Sequence, residues 1–279
     1  VFNKKFLKGD WLKMKEKLNI VAFKKMKEKG EKIVMVTAYD YTGGLLAEEA
    51  AVDVILVGDS LGMTMLGYES TVPVTMDEMV HHLRAVRRGA PKTMCIADMP
   101  YMSYEISVEE AIRNGGRLIK EGAADAVKIE GGLSRVPVVE AMAKAGVPVM
   151  GHLGLTPQTA EQLGGYKVQG RDQRAAREMV RDAQALQAAG AFGIVLECVP
   201  QGLAQEITAG LSVPTIGIGA GVYCDGQVLV YHDMLGLYKR IEPKFVKQYA
   251  NLGDQVRKAL EQYGHEVKSG IFPGEEHSF

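Results

Sequence analysis

VILVGDSLGM, residues 54–63, starts as four apolar residues, three of them β-branched, then breaks at Gly58 and delivers Asp59 and Ser60. A short, unbroken apolar run is the pattern of a strand buried on both faces, as in parallel sheets. A carboxylate and a hydroxyl at the end of such a strand form half of a site. The same construction returns in TMCIAD (93–98), AVKIE (126–130), VMGH (149–152) and FGIVLE (192–197). Those runs end in Asp98, in Lys128 with Glu130, in His152 and in Glu197. Five such runs in order imply that several strand ends converge on one pocket.

Working outward, the chain alternates between strand-like and helix-like patterns from Lys32 onward. Candidate strands are residues 33–38, 54–57, 93–97, 126–129, 148–151, 192–196, 214–218 and 227–231. Helical periodicity falls at about 43–50, 77–88, 107–121, 135–145, 171–189, 202–209 and 244–263, with a further stretch at about 18–26. Thr75 stands three residues before Glu78 and Ser107 three before Glu110, the spacing of helix start signals. Strands alternating with helices predict an α/β protein with a parallel sheet, either doubly wound or closed. A dinucleotide-binding doubly wound sheet calls for G-x-G-x-x-G after its first strand, whereas IVMVTA runs into Tyr39-Asp40-Tyr41. An eight-stranded (β/α)8 TIM barrel places the C-terminal ends of all strands around one pocket, and it is the predicted fold. The expected organisation is an N-terminal extension and helix over 1–31, with 1–13 a leader or an expression remnant, and a single barrel over 32–279.

The composition suits a soluble globular protein: 279 residues, 47% hydrophobic and 24% charged. Lys plus Arg number 33 against 34 Asp plus Glu, a net charge of -1. That balance lacks the footprint of a nucleic-acid binder or of a protein that binds an anionic membrane. Cys95, Cys198 and Cys224 form no CxxC pair, which argues against a disulfide framework or a zinc ribbon. The Lys-rich segment 1–32 has no signal-peptide core and no Arg or Ser, and no apolar run nears the length of a membrane span. A cytoplasmic protein is expected.

Asp59, Asp98 and Glu130 would focus three negative charges on one spot, which calls for a cation. A hard divalent ion such as Mg²⁺ accepts oxygen ligands and keeps several waters. The plain alternative is that each acid caps a helix or meets an arginine. Lys128 lies two residues before Glu130, so both share a strand face; a lysine inside a barrel favours an anionic substrate or an enolate oxygen. His152 has two roles open to it: substrate binding with proton shuttling, or a satisfied structural histidine. Glu197 closes the most apolar strand, in a setting suited to a general acid or base. LGGYKVQGR (163–171) sits in a long connection, where lids and binding loops occur. GIGAG (217–221) reads either as a tight strand exit or as an anion-binding turn.

In these ordered blocks the chain resembles the ketopantoate hydroxymethyltransferase family. The resemblance runs from about Met26 to Gly270 through KIVMVTAYDY, VDVILVGDSLGM, TVPVTMDEMVHH, ADMPYMSYE, AVKIEGG, GHLGLTPQ, GIVLE, VPTIGIGAG and DGQVLVYHDMLGL. Tyr101, Met102 and Glu105 depart from the usual Phe, Gly and Gln after ADMP. The resemblance implies a barrel of the phosphoenolpyruvate/pyruvate superfamily, assembled as a homodecamer. It also implies transfer of a one-carbon unit from 5,10-methylenetetrahydrofolate to 3-methyl-2-oxobutanoate. Residue by residue, it implies Asp59 and Asp98 as direct Mg²⁺ ligands and Glu130 near the metal through water. It further implies Asp59, Ser60, Asp98 and Lys128 on the keto acid with His152 close by, and Glu197 as the proton-transfer residue. A folate-free lyase on the same barrel, and a non-catalytic barrel binding an organic acid, are the alternatives.

Overall fold

Side chains two apart on a strand share a face, and that rule accounts for how this barrel separates its core from its site. The computed structural model describes residues 17–238, 240 and 243–279. Its elements run α1 (Ile20–Lys29), β1 (Ile33–Thr37), α2 (Tyr41–Glu49), β2 (Val54–Val57), a short α3 (Leu61–Thr64), α4 (Met76–Gly89), β3 (Met94–Asp98), α5 (Val108–Lys120) and β4 (Ala126–Glu130). They continue with α6 (Val136–Lys144), β5 (Val149–Gly154), α7 (Gln173–Ala188), β6 (Gly193–Glu197), α8 (Gln201–Gly210), β7 (Thr215–Ile218), β8 (Gly226–Leu229), α9 (Tyr231–Met234) and α10 (Leu252–Lys268). The strands pair in parallel in sequence order, and β8 closes on β1. This is the predicted (β/α)8 barrel.

Alternate strand residues enter two separate cores. Ile55, Val57, Cys95, Ala97, Val127, Ile129, Ile194 and Leu196 pack outward against the helices. Val54, Leu56, Met94, Ile96, Ala126, Met150 and Val195 form the interior cluster. Stepping two residues further along the inward series reaches Asp98 on β3, Lys128 and Glu130 on β4, His152 on β5 and Glu197 on β6. The register sets Asp98 beside Lys128, and Glu130 beside His152. The polar groups therefore form a layer above an apolar one.

Helix α1 closes the other end. Its N-cap Asn19 accepts a hydrogen bond from the Ala22 N–H, and Gly30 ends it with φ 68°, a left-handed conformation suited to glycine. Phe23, fully buried, meets the Phe192 ring edge-on at 5.5 Å and joins the interior cluster. Thr75 and Glu78 complete a reciprocal capping box on α4, and the Ser107 side chain caps α5. At the top of β5, Gly154 has φ 97°, and a Cβ there would stand 2.1 Å from the Glu197 carbonyl oxygen. Only glycine lets β5 and β6 approach so closely at the point where Glu197 leaves its strand.

Two expectations shift. The strand predicted at 227–231 is Gly226–Leu229, because the Tyr231 N–H turns to the Thr37 hydroxyl at 2.9 Å and opens α9. The helix predicted at 244–263 begins only at Leu252 and runs to Lys268. The Tyr249, Leu252 and Gly253 amides donate instead to the carbonyls of Met234, Leu235 and Gly236, which holds the preceding segment against α9 and its exit. The expected leader, 1–13, lies outside the described residues. Among the described residues no helix is long and apolar enough to cross a membrane.

Candidate active site

The seven residues singled out from sequence line one cavity of about 450 Å³ at the C-terminal end of the barrel: Asp59, Ser60, Asp98, Lys128, Glu130, His152 and Glu197. Its size falls within the range of small-molecule sites. In a (β/α)8 barrel this end carries the chemistry.

Lys128 is the hub. Its Nζ stands 3.1 Å from Asp98 Oδ1, 3.0 Å from His152 Nδ1 and 3.9 Å from Glu130 Oε1. The lysine side chain is only 4% exposed. Burial opposes its charge, but Asp98, Glu130 and Asp59 together hold the ammonium above its ordinary range. The carboxylates respond unequally. Burial, then the charges of Asp98 and Glu130, push Asp59 well above the usual carboxylate range. Burial also raises Asp98, with Lys128 resisting. Burial pushes Glu130 up, but His152 and Lys128 outweigh it and leave that carboxyl below the usual range.

Gln158, in a single 3-10 turn after β5, ties these groups together. Its side-chain amide donates to Asp59 Oδ2 at 2.8 Å and to the Met99 carbonyl at 2.9 Å. Its backbone N–H donates to Glu130 Oε2 at 3.1 Å. The Tyr104 hydroxyl donates to Gln158 Oε1 at 2.6 Å and accepts from the Glu130 N–H at 3.2 Å. Ser60, at the β2 exit, shares a 2.7 Å hydrogen bond with the Tyr39 hydroxyl. Gln158, Tyr104 and Tyr39 were not singled out, although all three lie inside the quoted blocks GHLGLTPQ, ADMPYMSYE and KIVMVTAYDY. Each is polar with no distinguishing spacing, so only the fold reveals its role.

His152 bridges the cluster to Glu197. Its Nε2 faces Glu197 Oε2 at 3.3 Å, while Nδ1 lies 3.5 Å from Glu130 Oε1. Burial and the Lys128 charge push the imidazole down, but Glu130 and Glu197 prevail and hold it above its usual value. Where Lys128 donates to Nδ1, that nitrogen is the acceptor, and the ring proton resides on Nε2 facing Glu197. Glu197 keeps 14% side-chain exposure against 3% for His152. It is thus the acid of this chain of contacts that a molecule in the cavity can reach.

The long connection after β5 contributes Tyr166, Lys167 and Val168 to the cavity wall. GIGAG is a tight strand exit: Gly219 and Gly221 have φ 67° and 81°, and the Phe245 ring lies where a Gly219 Cβ would point. Cys95 and Cys224 are buried free thiols and Cys198 a half-buried one; burial pushes the Cys95 thiol up to about 12.

The donor set bears on a metal. Among the described residues no three His, Cys, Asp or Glu side chains converge at metal-binding spacing. Asp98 and Asp59 are joined through the Asp59 N–H, which donates to Asp98 Oδ2 at 3.0 Å. Asp98 Oδ1 is buried without a hydrogen-bond partner, facing the Lys128 ammonium out of hydrogen-bond alignment. Two adjacent hard carboxylates, each pushed up by burial and one with an unsatisfied oxygen, fit an ion that takes few protein ligands and retains waters, as Mg²⁺ does.

Fold comparison gives the class. The chain superposes on 2,3-dimethylmalate lyase, a PEP mutase/isocitrate lyase superfamily member, with TM-score 0.60 and 16% identity, covering 93% of this chain and 91% of that one. A phosphonopyruvate hydrolase solved with oxalate and Mg²⁺ gives TM-score 0.60 at 15% identity, covering 93% of each chain. The protein shares the (β/α)8 barrel fold of these structures.

The sequence narrows it further. The model of the family described as ketopantoate hydroxymethyltransferase matches residues 17–275, and the chain belongs to that family. A 3-methyl-2-oxobutanoate hydroxymethyltransferase of Heliobacterium modesticaldum is 59% identical over 266 residues, 95% of this chain and 96% of that protein. The namesake from Moorella thermoacetica is 63% identical over 254 residues, 91% of this chain and 94% of that protein.

Proposed function

We propose that this chain transfers a hydroxymethyl group from 5,10-methylenetetrahydrofolate to 3-methyl-2-oxobutanoate, giving 2-dehydropantoate, the first step of pantothenate synthesis. The observation that carries the reading is the buried Lys128 ammonium among Asp98, Glu130 and His152, with Glu197 within reach of the same cavity. That arrangement holds an anionic keto acid and removes a proton next to its carbonyl.

Lys128 and Ser60 orient the keto acid, with Lys128 placing positive charge where the enolate oxygen develops. Glu197 takes the C3 proton, and His152 Nε2–H steadies the carboxylate that receives it. The C3 carbon then bonds to the one-carbon unit. Both bonds from that unit to the folate nitrogens break, and water supplies the hydroxyl oxygen. The proton taken by Glu197 and the remaining water proton end on those two nitrogens as tetrahydrofolate leaves. Asp59 and Asp98 would hold Mg²⁺ directly and Glu130 through water, and the bound ion would supply Lewis-acid stabilisation of the enolate.

Proton NMR of 3-methyl-2-oxobutanoate in D₂O, with enzyme and Mg²⁺ and then with methylenetetrahydrofolate, tests the reading. Appearance of 2-dehydropantoate only after the folate is added is the expected result. Its absence in the full mixture overturns the folate reading and favours a folate-free lyase. For the metal pair, Asp98→Ala is expected to weaken Mg²⁺ and keto-acid binding together, by at least tenfold, in calorimetric titrations. Unchanged affinity for both removes Asp98 from the site.

The expected homodecamer is likewise a proposal. Its support is α10, which has no buried residue and exposes Val256, Leu260, Tyr263 and Val267 at helical spacing along one stripe. An apolar stripe of that kind on a soluble protein marks a contact surface. Light scattering should return a multiple of the single-chain mass, and Leu260→Asp should lower it. A monomer mass for the wild-type chain sinks the assembly.

A further inference from the structure

Five carboxylates line the cavity, and four of them serve the proposed reaction. The fifth is Asp233, in α9. It sits with Thr37, Val230, Tyr238 and Phe245 on the wall built from β1, β8 and the segment beyond, away from the Lys128 cluster on β3 to β6. The Asp233 charge bears on Tyr39, whose hydroxyl pairs with Ser60, so Asp233 borders the keto-acid end without belonging to it. Its backbone bonds to Val230 and Gly236, but among the described residues its side-chain carboxylate has neither a hydrogen-bond nor an ion-pair partner. Burial pushes its carboxyl up to about 6; Lys244 lines the same cavity, but no cation among the described residues offsets the burial. A half-buried carboxylate facing a cavity without a partner is costly unless a ligand satisfies it.

The chemistry of its surroundings limits that ligand. A keto acid is anionic, so Asp233 repels it and Lys128 attracts it, which assigns the two ends of the cavity to different molecules. The small keto acid leaves most of about 450 Å³ free. What remains has apolar and aromatic sides in Val230, Tyr238 and Phe245, suited to the faces of a flat heterocycle. A carboxylate at its edge matches two adjacent N–H donors, as in a guanidinium fork. The 2-amino group and neighbouring N3–H of a pterin present that donor pair.

We propose that Asp233 is the specificity carboxylate for the pterin of the one-carbon donor, accepting hydrogen bonds from its 2-amino group and N3–H. This rests on the folate-dependent reading of the same site. Asn at this position keeps the shape but turns one acceptor into a donor facing donors, so charge-assisted hydrogen bonds are lost.

The test is steady-state kinetics of the Mg²⁺-loaded enzyme with both substrates varied, for wild type, Asp233→Asn and Asp233→Glu. Asp233→Asn should raise KM for methylenetetrahydrofolate on the order of 10- to 100-fold and shift KM for the keto acid less than about threefold. Asp233→Glu should recover part of the loss. A tetrahydropterin lacking the glutamate tail should inhibit the wild type and lose potency in parallel against Asp233→Asn. An unchanged folate KM, or an equal rise in both KM values, overturns the assignment while the folate reading stands. A wild type that makes no product from methylenetetrahydrofolate overturns the reading itself, and the assignment with it.

Discussion

Glu197→Gln is expected to lower turnover by a factor on the order of 10²–10⁴, the usual contribution of a positioned general base, and to abolish deuterium exchange at C3 of 3-methyl-2-oxobutanoate. The substitution keeps the side chain's size and leaves His152 Nε2, 3.3 Å from the wild-type carboxylate, facing an amide in place of a base. Keto-acid affinity should change little, because the groups proposed to hold the anion are Lys128, Ser60 and the aspartates on other strands. Loss of rate with binding retained is the pattern of a residue acting in the transition state rather than in ground-state binding. Proton NMR in D₂O reads the exchange, and calorimetry reads the affinity. Exchange at the wild-type rate would transfer the base role to another group, and a parallel collapse of affinity would make Glu197 a binding residue.

The alternation of inward and outward residues explains why so much of this barrel can be read from sequence. Runs such as VILV and FGIVL are apolar on both faces because one face meets helices and the other the barrel interior, and the groups that break the run stand at the pocket. Asp98, Lys128, Glu130, His152 and Glu197 were therefore visible as interruptions at strand ends. Residues outside strands have no such period. Gln158 reaches Asp59 and Glu130 from a 3-10 turn, and Tyr104 reaches Gln158 from the loop after β3. Asp233 lies in a four-residue helix, two residues past the stretch 227–231 that reads as a strand. The start of α10 was misplaced for a related reason. The 243–251 segment has helix-compatible residues, but its Tyr249 amide and those of Leu252 and Gly253 just after it are committed to carbonyls at 234–236, a tertiary commitment that local propensity does not register.

Lys128→Met should have the largest effect on stability, because it removes the only ammonium in direct contact with Asp98 and Glu130 among the described residues. Breaking a buried charge cluster by deleting one partner costs about 3–5 kcal/mol, since the opposite charges remain desolvated and uncompensated. The pH dependence distinguishes this from simple loss of packing. In the wild type, Asp59 and Asp98 are already raised by burial, with Lys128 resisting. Without Lys128 both rise further, and Glu130 loses one of the cations that hold it down. The folded variant then retains protons that the unfolded chain releases near ordinary carboxylate pKa values. The stability of these groups is fully present below the unfolded values and is lost as pH rises through the raised folded ones. Thermal melts with chelator present, so that no added cation substitutes for the ammonium, should show the variant's deficit relative to wild type growing from pH 5.5 to pH 8. A deficit independent of pH would mean that Lys128 serves as packing and that the three carboxylates do not depend on its charge.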